Sequence, residues 1–369
     1  MTASRQEQAR RLGALRRRLW LIGLALGLLV PVAWLWSGAA AVLWAALSSA
    51  LPPLVAVPLL LGLFYLSQLL VHAPLSYLSG FVLGHRFGLS RQRFRDWLAD
   101  WLKAALLGLG FGTLVSSGYY AALALLGANW WWGYGLALVV GLALLSYVLP
   151  YVIVPLFYRM RPVEDQAVAA AIERLVTRAN TRVAGVCELD FSRKTSEGNA
   201  AVIGLGRSRR VVIADTLLHE YPLPEIEAIV AHELGHHVQR DVLKLLAVQG
   251  AFLLAGLWLA TTFGPPALDA LGLGRLDSVD NFPALALAAE LYSLALLPLG
   301  NALSRRIEAA ADRYALTLTG SPAAFAAALR RLADQNLIEE RPPRWAVLLL
   351  ASHPPIADRI ALTKEHLVA

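Results

Sequence analysis

The chain has 369 residues, of which 57% are hydrophobic and 16% charged, with a net charge of +7. A soluble chain carries about 25% charged residues, so these proportions exclude a protein that is soluble throughout. The basic excess does not require nucleic acid, since membrane proteins gather Lys and Arg in their cytoplasmic loops; no nucleic-acid partner is expected.

The first seventeen residues are polar and basic, and the apolar run after them is too long for the core of a cleaved signal. A bilayer crossing takes about 20 residues of helix. Apolar runs of that order predict six spans, at Leu19–Trp36, Leu54–Leu78, Ala104–Leu126, Gly133–Tyr158, Val242–Phe263 and Pro283–Leu303. Ala39–Ala50 is apolar but short and is followed by Pro52-Pro53, so it reads as an interfacial or re-entrant piece, or else as a seventh span. Trp130-Trp131-Trp132 and Tyr134 are expected to form an aromatic belt at the outer face. Glu290 falls inside the sixth span, where an ionisable group faces the protein interior or a wet cavity; it reads equally as lining a chamber or as a protonated, hydrogen-bonded structural residue.

Charge placement orients these spans. With the N-terminus inside, the inner loops carry Arg5, Arg10, Arg11, Arg16, Arg17 and Arg18, then Arg86, Arg91, Arg93, Arg95 and Lys103. The outer loops hold Arg275 alone among Asp269, Asp277 and Asp280, which obeys the positive-inside rule. The N-terminus, the segment near 159–241 and the tail after 304 are therefore expected in the cytoplasm, at the inner membrane if the cell is bacterial.

Between the fourth and fifth spans, Pro162–Asn180 reads as an amphipathic helix with Ile172, Leu175, Val176 and Ala179 on one side. Cys187, the single cysteine, reads as a small buried residue and leaves no internal disulfide to form. Asn199–Leu205 and Arg209–Ala214 flank Gly206-Arg207-Ser208 as a hairpin. Pro224 suits the first turn of a helix that continues through Ile226, Ile229, Val230 and Leu234, and Ser321-Pro322 opens another.

The informative stretch is Ala231-His232-Glu233-Leu234-Gly235-His236-His237. Residues four apart lie one turn above each other on a helix, so His232 and His236 offer two imidazoles to one ion. Glu233, beside them, can act as general base on an attacking water. Zinc suits imidazole nitrogen, and a catalytic zinc takes a third protein ligand while keeping one position open. Glu308, in Ser304-Arg305-Arg306-Ile307-Glu308-Ala309-Ala310-Ala311-Asp312, is the candidate, with Asp312 one turn on to accept from a ligand imidazole. Taken alone, Glu308 and Asp312 on an Arg-rich helix are more often a solvated, salt-bridged face. Topology favours the metal: the His232 helix runs into the fifth span and Glu308 follows the sixth, so both lie at one membrane level. His237 faces about 100° away from His236 and reads as a neighbour of the site.

The chain resembles the type I CAAX prenyl endopeptidases, integral-membrane gluzincins with a His, His, Glu ligand set. The resemblance extends beyond the metal motif to the stretch Tyr77-Leu78-Ser79-Gly80-Phe81-Val82-Leu83-Gly84-His85-Arg86-Phe87-Gly88-Leu89-Ser90 and to Pro162-Val163-Glu164-Asp165. Asn199-Ala200, Arg210-Val211-Val212-Ile213-Ala214-Asp215-Thr216-Leu217-Leu218 and Ser352-His353-Pro354-Pro355 follow in the family's order. The resemblance implies that His232, His236 and Glu308 bind one zinc ion and that Glu233 is the base. It implies that Asn199 and Ala200 lie on an edge strand pairing with substrate backbone, that His353 stabilises the oxyanion or holds the substrate near it, and that Arg359 supports substrate binding or the local network.

The expected fold is mainly α: a polytopic bundle enclosing a chamber, with a cytoplasmic gluzincin-like zinc peptidase domain carrying a small β hairpin or sheet. The expected division is a four-span membrane region at 1–160, a peptidase segment with the histidine helix at 161–241, two spans at 242–303, and a C-terminal segment with the third ligand at 304–369. The expected partners are the bilayer and a peptide or protein substrate, of which prenylated and membrane-associated ones are the family's kind, met by a monomer. A broad quality-control protease would use the same chemistry, and a zinc-binding transporter or scaffold would have no need of Glu233.

Overall fold

The computed structural model describes residues 3–204, 209–273 and 275–368; the turn expected at Gly206-Arg207-Ser208 lies outside them. Five continuous helical runs are long and apolar enough to cross a membrane. One of them, Phe94–Phe157, is two helices, because Gly127 adopts φ 51°, ψ −127° and the chain turns back there. The membrane-length helices are thus α1 (Ala3–Trp36), α3 (Pro53–Ser76), α5 (Phe94–Leu126), α6 (Trp130–Phe157), α10 (Asp241–Ala270) and α11 (Phe282–Thr319). Between α1 and α3 lies α2 (Ala39–Ala50), whose 12 residues rise about 18 Å, short of the roughly 30 Å hydrocarbon core. It packs Leu43, Trp44 and Leu47 onto the aromatic cluster at the far end of the bundle and does not span.

Leu106, Leu114, Leu125, Val140 and Leu144 are exposed along α5 and α6, an apolar surface of the kind a bilayer covers. The aromatic belt is narrower than expected. The turn at Gly127 folds Trp130 against Tyr119, with ring centroids 5.1 Å apart, and buries it; Trp132 is left exposed at 49%.

All four basic segments lie at one end of the bundle. Arg17 Nη1 donates to Glu339 Oε2 at 2.8 Å, and Arg91 N donates to the Lys194 carbonyl at 2.9 Å. Both α1 and α11 continue as helix beyond the membrane-length stretch into this end, so the expected basic N-terminal loop is itself helical. α3 likewise continues through a π-helical turn, Tyr77–Val82, into α4 (Leu83–Arg86).

The extramembrane unit is built on a four-stranded sheet of order β1-β2-β4-β3, with β1 Met160–Pro162, β2 Gly185–Leu189, β3 Ala200–Ile203 and β4 Arg210–Ala214. β3 pairs antiparallel with β4, Ala200 opposite Ile213, and holds the sheet edge. The amphipathic helix, α7, spans Gln166–Arg178. It starts four residues later than the periodicity suggests, because Pro162 belongs to β1 and Asp165 caps the helix by accepting from Ala167 N and Val168 N. The strand β2 and the short α8 (Asp215–Glu220) are additions to the sequence reading; Cys187 sits buried in β2. Against the sheet lies α9 (Leu223–Val238); α12 (Pro322–Gln335) packs on α9, α14 (Ile356–Val368) on α12, and α13 (Arg344–Leu350) on α11. Ile172, Val211, Ile213, Leu217, Ile226, Val230, Leu234 and Leu316 form the core between the sheet, α7, α8, α9 and the end of α11, and Phe325, Leu329 and Ile356 join it from α12 and α14.

Where the resemblance implies a chamber, the cavities that the described residues outline include two near the peptidase end. One of about 490 Å³ lies between α1, α3 and α11, with Glu290 on its wall; the other, of about 680 Å³, opens over α9. Glu290 reaches the first because Gly27 of α1 leaves room: a Cβ there would stand 2.5 Å from Glu290 Oε1.

Candidate active site

The site begins with the local reason for α9. Pro222 precedes it in extended conformation and Pro224 fits its first turn, where no intrahelical N–H bond is lost. Ile226, Val230 and Leu234 take one face into the core, which leaves His232, Glu233 and His236 on the face toward α11 and the cleft. Gly235 lets α11 come close: a Cβ there would lie 3.3 Å from both the Cα and the carbonyl oxygen of Ala311. The two helices therefore meet nearly backbone to backbone, and Glu308 arrives beside the histidines.

The three side chains converge. His232 Nε2 lies 3.2 Å from His236 Nε2 and 3.2 Å from Glu308 Oε2, and His236 Nε2 lies 3.5 Å from Glu308 Oε1. Ligands about 2.0–2.1 Å from one tetrahedral ion stand about 3.3–3.4 Å apart. The far side of each ring shows what the near side offers. His232 Nδ1 is 2.8 Å from Asp312 Oδ1, and His236 Nδ1 is 3.0 Å from Asp241 Oδ2. A proton on each Nδ1 leaves a lone pair on each Nε2, facing a carboxylate. Glu308 Oε2 is buried and accepts no directed hydrogen bond, although His232 Nε2 is close. Three groups turned on one point hold together through a shared cation, either protons on the imidazoles or a metal ion bound to their Nε2 lone pairs and the carboxylate, so the donor set fits a divalent metal.

The electrostatics follow from the same geometry. Burial opposes charge on His232, yet the carboxylates of Asp312 and Glu308 outweigh it and push the imidazole up to about 9. His236 moves up too, with Glu308 and Asp241 overcoming its burial. Burial raises Glu233 above the ordinary carboxylate range, partly countered by the two imidazoles. Desolvation lowers His237, with Arg209 adding to the effect; its neighbour is that guanidinium, outside the converging set.

Asp312 is fully buried and takes both N–H groups of Arg359, at 2.8 and 2.6 Å. Arg359 lines the cleft, but its guanidinium is committed to Asp312, so the structure places it in the supporting network. Asp241 is the residue that sequence reading missed. The chain does not run straight from α9 into α10: Arg240 adopts the left-handed conformation, φ 57°, ψ 38°, and swings Asp241 back onto His236 while Lys244 Nζ donates to its other oxygen at 2.7 Å. An acidic residue five places past the second histidine is the available signal, and helical spacing hides it.

His353 comes from the loop between α13 and α14. Its Nε2 is 3.2 Å from Glu308 Oε1 and its Nδ1 is 2.9 Å from Ser352 Oγ. Desolvation and the nearby cations keep it below its ordinary pKa despite Glu308, so it stands neutral near pH 7. The edge strand begins at Ala200, so Asn199, expected on it, stands one residue before it; both line the same cleft as His232, Glu233 and His353.

Comparison with known proteins agrees with this architecture. The family model described as "CAAX prenyl protease N-terminal, five membrane helices" matches residues 1–159, where α1, α2, α3, α5 and α6 lie, four of them of membrane length. The model described as "Peptidase family M48" matches residues 162–366. A Bacillus subtilis protein named "Uncharacterized metalloprotease YhfN" is 30% identical over 298 residues, 79% of this chain and 69% of its own length. The Saccharomyces cerevisiae "CAAX prenyl protease 1" is 27% identical over 318 residues, 81% and 70%. The crystal structure of S. mikatae Ste24p superposes with a TM-score of 0.88 at 22% identity, covering 98% of this chain and 90% of that one, which establishes the fold. The chain belongs to peptidase family M48 and is an integral-membrane metalloprotease of the CAAX prenyl protease type.

Proposed function

We propose that this chain is a zinc endopeptidase that removes C-terminal residues from prenylated, membrane-associated peptides, acting as a monomer with its peptidase end in the cytoplasm. The observation that carries the reading is the convergence of His232, His236 and Glu308, ligand atoms all within 4.8 Å of one another, in the wall of a cleft that also holds Glu233, His353 and an edge strand. The Arg-rich inner segments and the nearly bare outer loops support the cytoplasmic orientation. The yeast relative's name supports the prenylated substrate class.

His232, His236 and Glu308 would hold the zinc ion. When bound, zinc supplies Lewis acidity for charge that develops on an attacked carbonyl. The chain's residues do the rest. Among the described residues β3 has a free edge beyond β4, where Ala200 presents backbone groups to an extended peptide, beside Asn199, whose carbonyl accepts from Ala214 N at 2.8 Å. The Glu233 carboxylate takes a proton from the attacking water and delivers it to the leaving amine. His353, neutral and with an N–H to give, donates to the oxyanion. Asp312 and Asp241 fix the tautomers of the two ligand imidazoles, and Arg359 holds Asp312 in place.

The test is purification in detergent, metal analysis, and cleavage of a farnesylated C-terminal peptide beside its unmodified twin, with Glu233→Gln as control. About one zinc per chain and chelator-sensitive cleavage of the farnesylated peptide are expected. Chelator-insensitive cleavage, or full activity in Glu233→Gln, refutes the mechanism; equal rates on both peptides refute the substrate class.

A further inference from the structure

Arg16 is the residue shared by both cavities. It lines the 490 Å³ space between α1, α3 and α11, with Trp20, Leu75 and Glu290, and it also lines the 680 Å³ cleft that holds His232, Glu233 and His353. Among the cleft-lining residues described, it is the one guanidinium without a close counter-charge. Arg359 is locked onto Asp312. Neighbouring Arg17 makes a shielded 2.8 Å pair with Glu339. Arg16 has only Glu197 Oε1 at 3.8 Å, and its side chain is 54% exposed. That distance is beyond a hydrogen bond, so most of the five donors of the guanidinium remain free. Burial pushes the Glu197 carboxyl above its ordinary range, with Arg16 pulling the other way.

Strand direction says what reaches this cation. Going backward from Ala200, the chain passes Asn199 and Gly198 to Glu197, which lies beside Arg16. A peptide added antiparallel to β3, the pairing that β3 already makes with β4 and the more stable one per residue, runs the opposite way. Its N-terminal part lies opposite Ile203, and its C-terminal part passes Ala200 and heads for Glu197 and Arg16. An enzyme that releases a short C-terminal fragment meets a free α-carboxylate a few residues past the cleaved bond.

We propose that Arg16 is a specificity-determining residue that binds the substrate's C-terminal α-carboxylate, so that the enzyme measures its cleavage site from the chain end. This rests on the peptidase reading above and adds the anchor at the product side. The guanidinium fork matches a carboxylate, and a hydrogen bond to a charged group is worth roughly ten- to hundredfold in an equilibrium or rate ratio.

The experiment compares a farnesylated peptide bearing a free C-terminal carboxylate with the same peptide ending in an amide. In the unaltered protein kcat/KM for the acid is expected to exceed that for the amide by roughly tenfold or more. In Arg16→Gln this ratio falls to near one, in Arg16→Lys most of it survives, and the released fragment inhibits Arg16→Gln more weakly by the same factor. Equal cleavage of acid and amide by the unaltered protein overturns the assignment with no variant needed. A ratio that persists in Arg16→Gln overturns it as well, and leaves Arg16 as an interfacial charge for the bilayer. Cleavage of neither peptide, or cleavage undiminished in Glu233→Gln, is a different failure, that of the peptidase mechanism.

Discussion

Replacing Asp312 by Ala separates two tasks that one side chain performs. Asp312 is fully buried and bonds His232 Nδ1 on one side and both arms of Arg359 on the other. Truncation leaves a buried guanidinium without its counter-charge, which costs about 3–5 kcal/mol. It also frees the His232 ring from its orienting acceptor, which costs about 10–100-fold in metal affinity, or about 1.4–2.7 kcal/mol. The double variant Asp312→Leu with Arg359→Met removes both charges together; paired removal of buried charges is near neutral when volume is kept. Denaturation of the metal-free protein in detergent is therefore expected to show Asp312→Ala strongly destabilised and the double variant largely restored. Zinc titration against a competing chelator is expected to show both weakened alike. If the double variant is no more stable than Asp312→Ala, the lone charge is not the cause. If zinc affinity is unchanged in both, Asp312 does not orient the ligand.

Three further outcomes follow from the same geometry. Glu233→Gln keeps its metal but loses about 10²–10⁴-fold in cleavage rate; metal content and turnover on one preparation check this, and loss of the metal itself would mean the residue is structural. Gly235→Val thrusts a branched side chain at the Ala311 backbone, moves α11 off α9, and is expected to abolish tight zinc binding while the sheet core survives, as zinc titration and circular dichroism would read. The base form of Glu233 is the deprotonated one, and burial raises its pKa, so kcat/KM rises with pH through a midpoint above the ordinary carboxylate value of about 4.3. An acid limb at or below that value would place the base in water.

His232, Glu233 and His236 were legible because a helical repeat of four turns their spacing into geometry, and α9 keeps that geometry. Glu308 came from counting spans: it lies on α11 just past the membrane, opposite the histidines, as an odd number of crossings between Glu308 and the N-terminal side of α10 could not have allowed. The six long helices, the N-terminal proline starts of α9 and α12, and the β3–β4 pair were readable for the same reason, each being encoded within a few consecutive residues or one apolar run.

What the tertiary structure decided depends on residues far apart or on single backbone angles. Gly127 reverses the chain and buries Trp130, which composition alone put at the membrane face. Arg240 enters the left-handed region and turns Asp241 onto His236. Arg359 meets Asp312 across 47 positions of sequence because α14 packs against α11, and Arg16 meets the cleft because α1 stays helical beyond the bilayer. Local periodicity reports which face of an element is apolar and which residues share a face, and so determined the spans and the pairing of His232 with His236; which polar groups then face one another is set by the packing of those elements, and so was settled only by the folded chain.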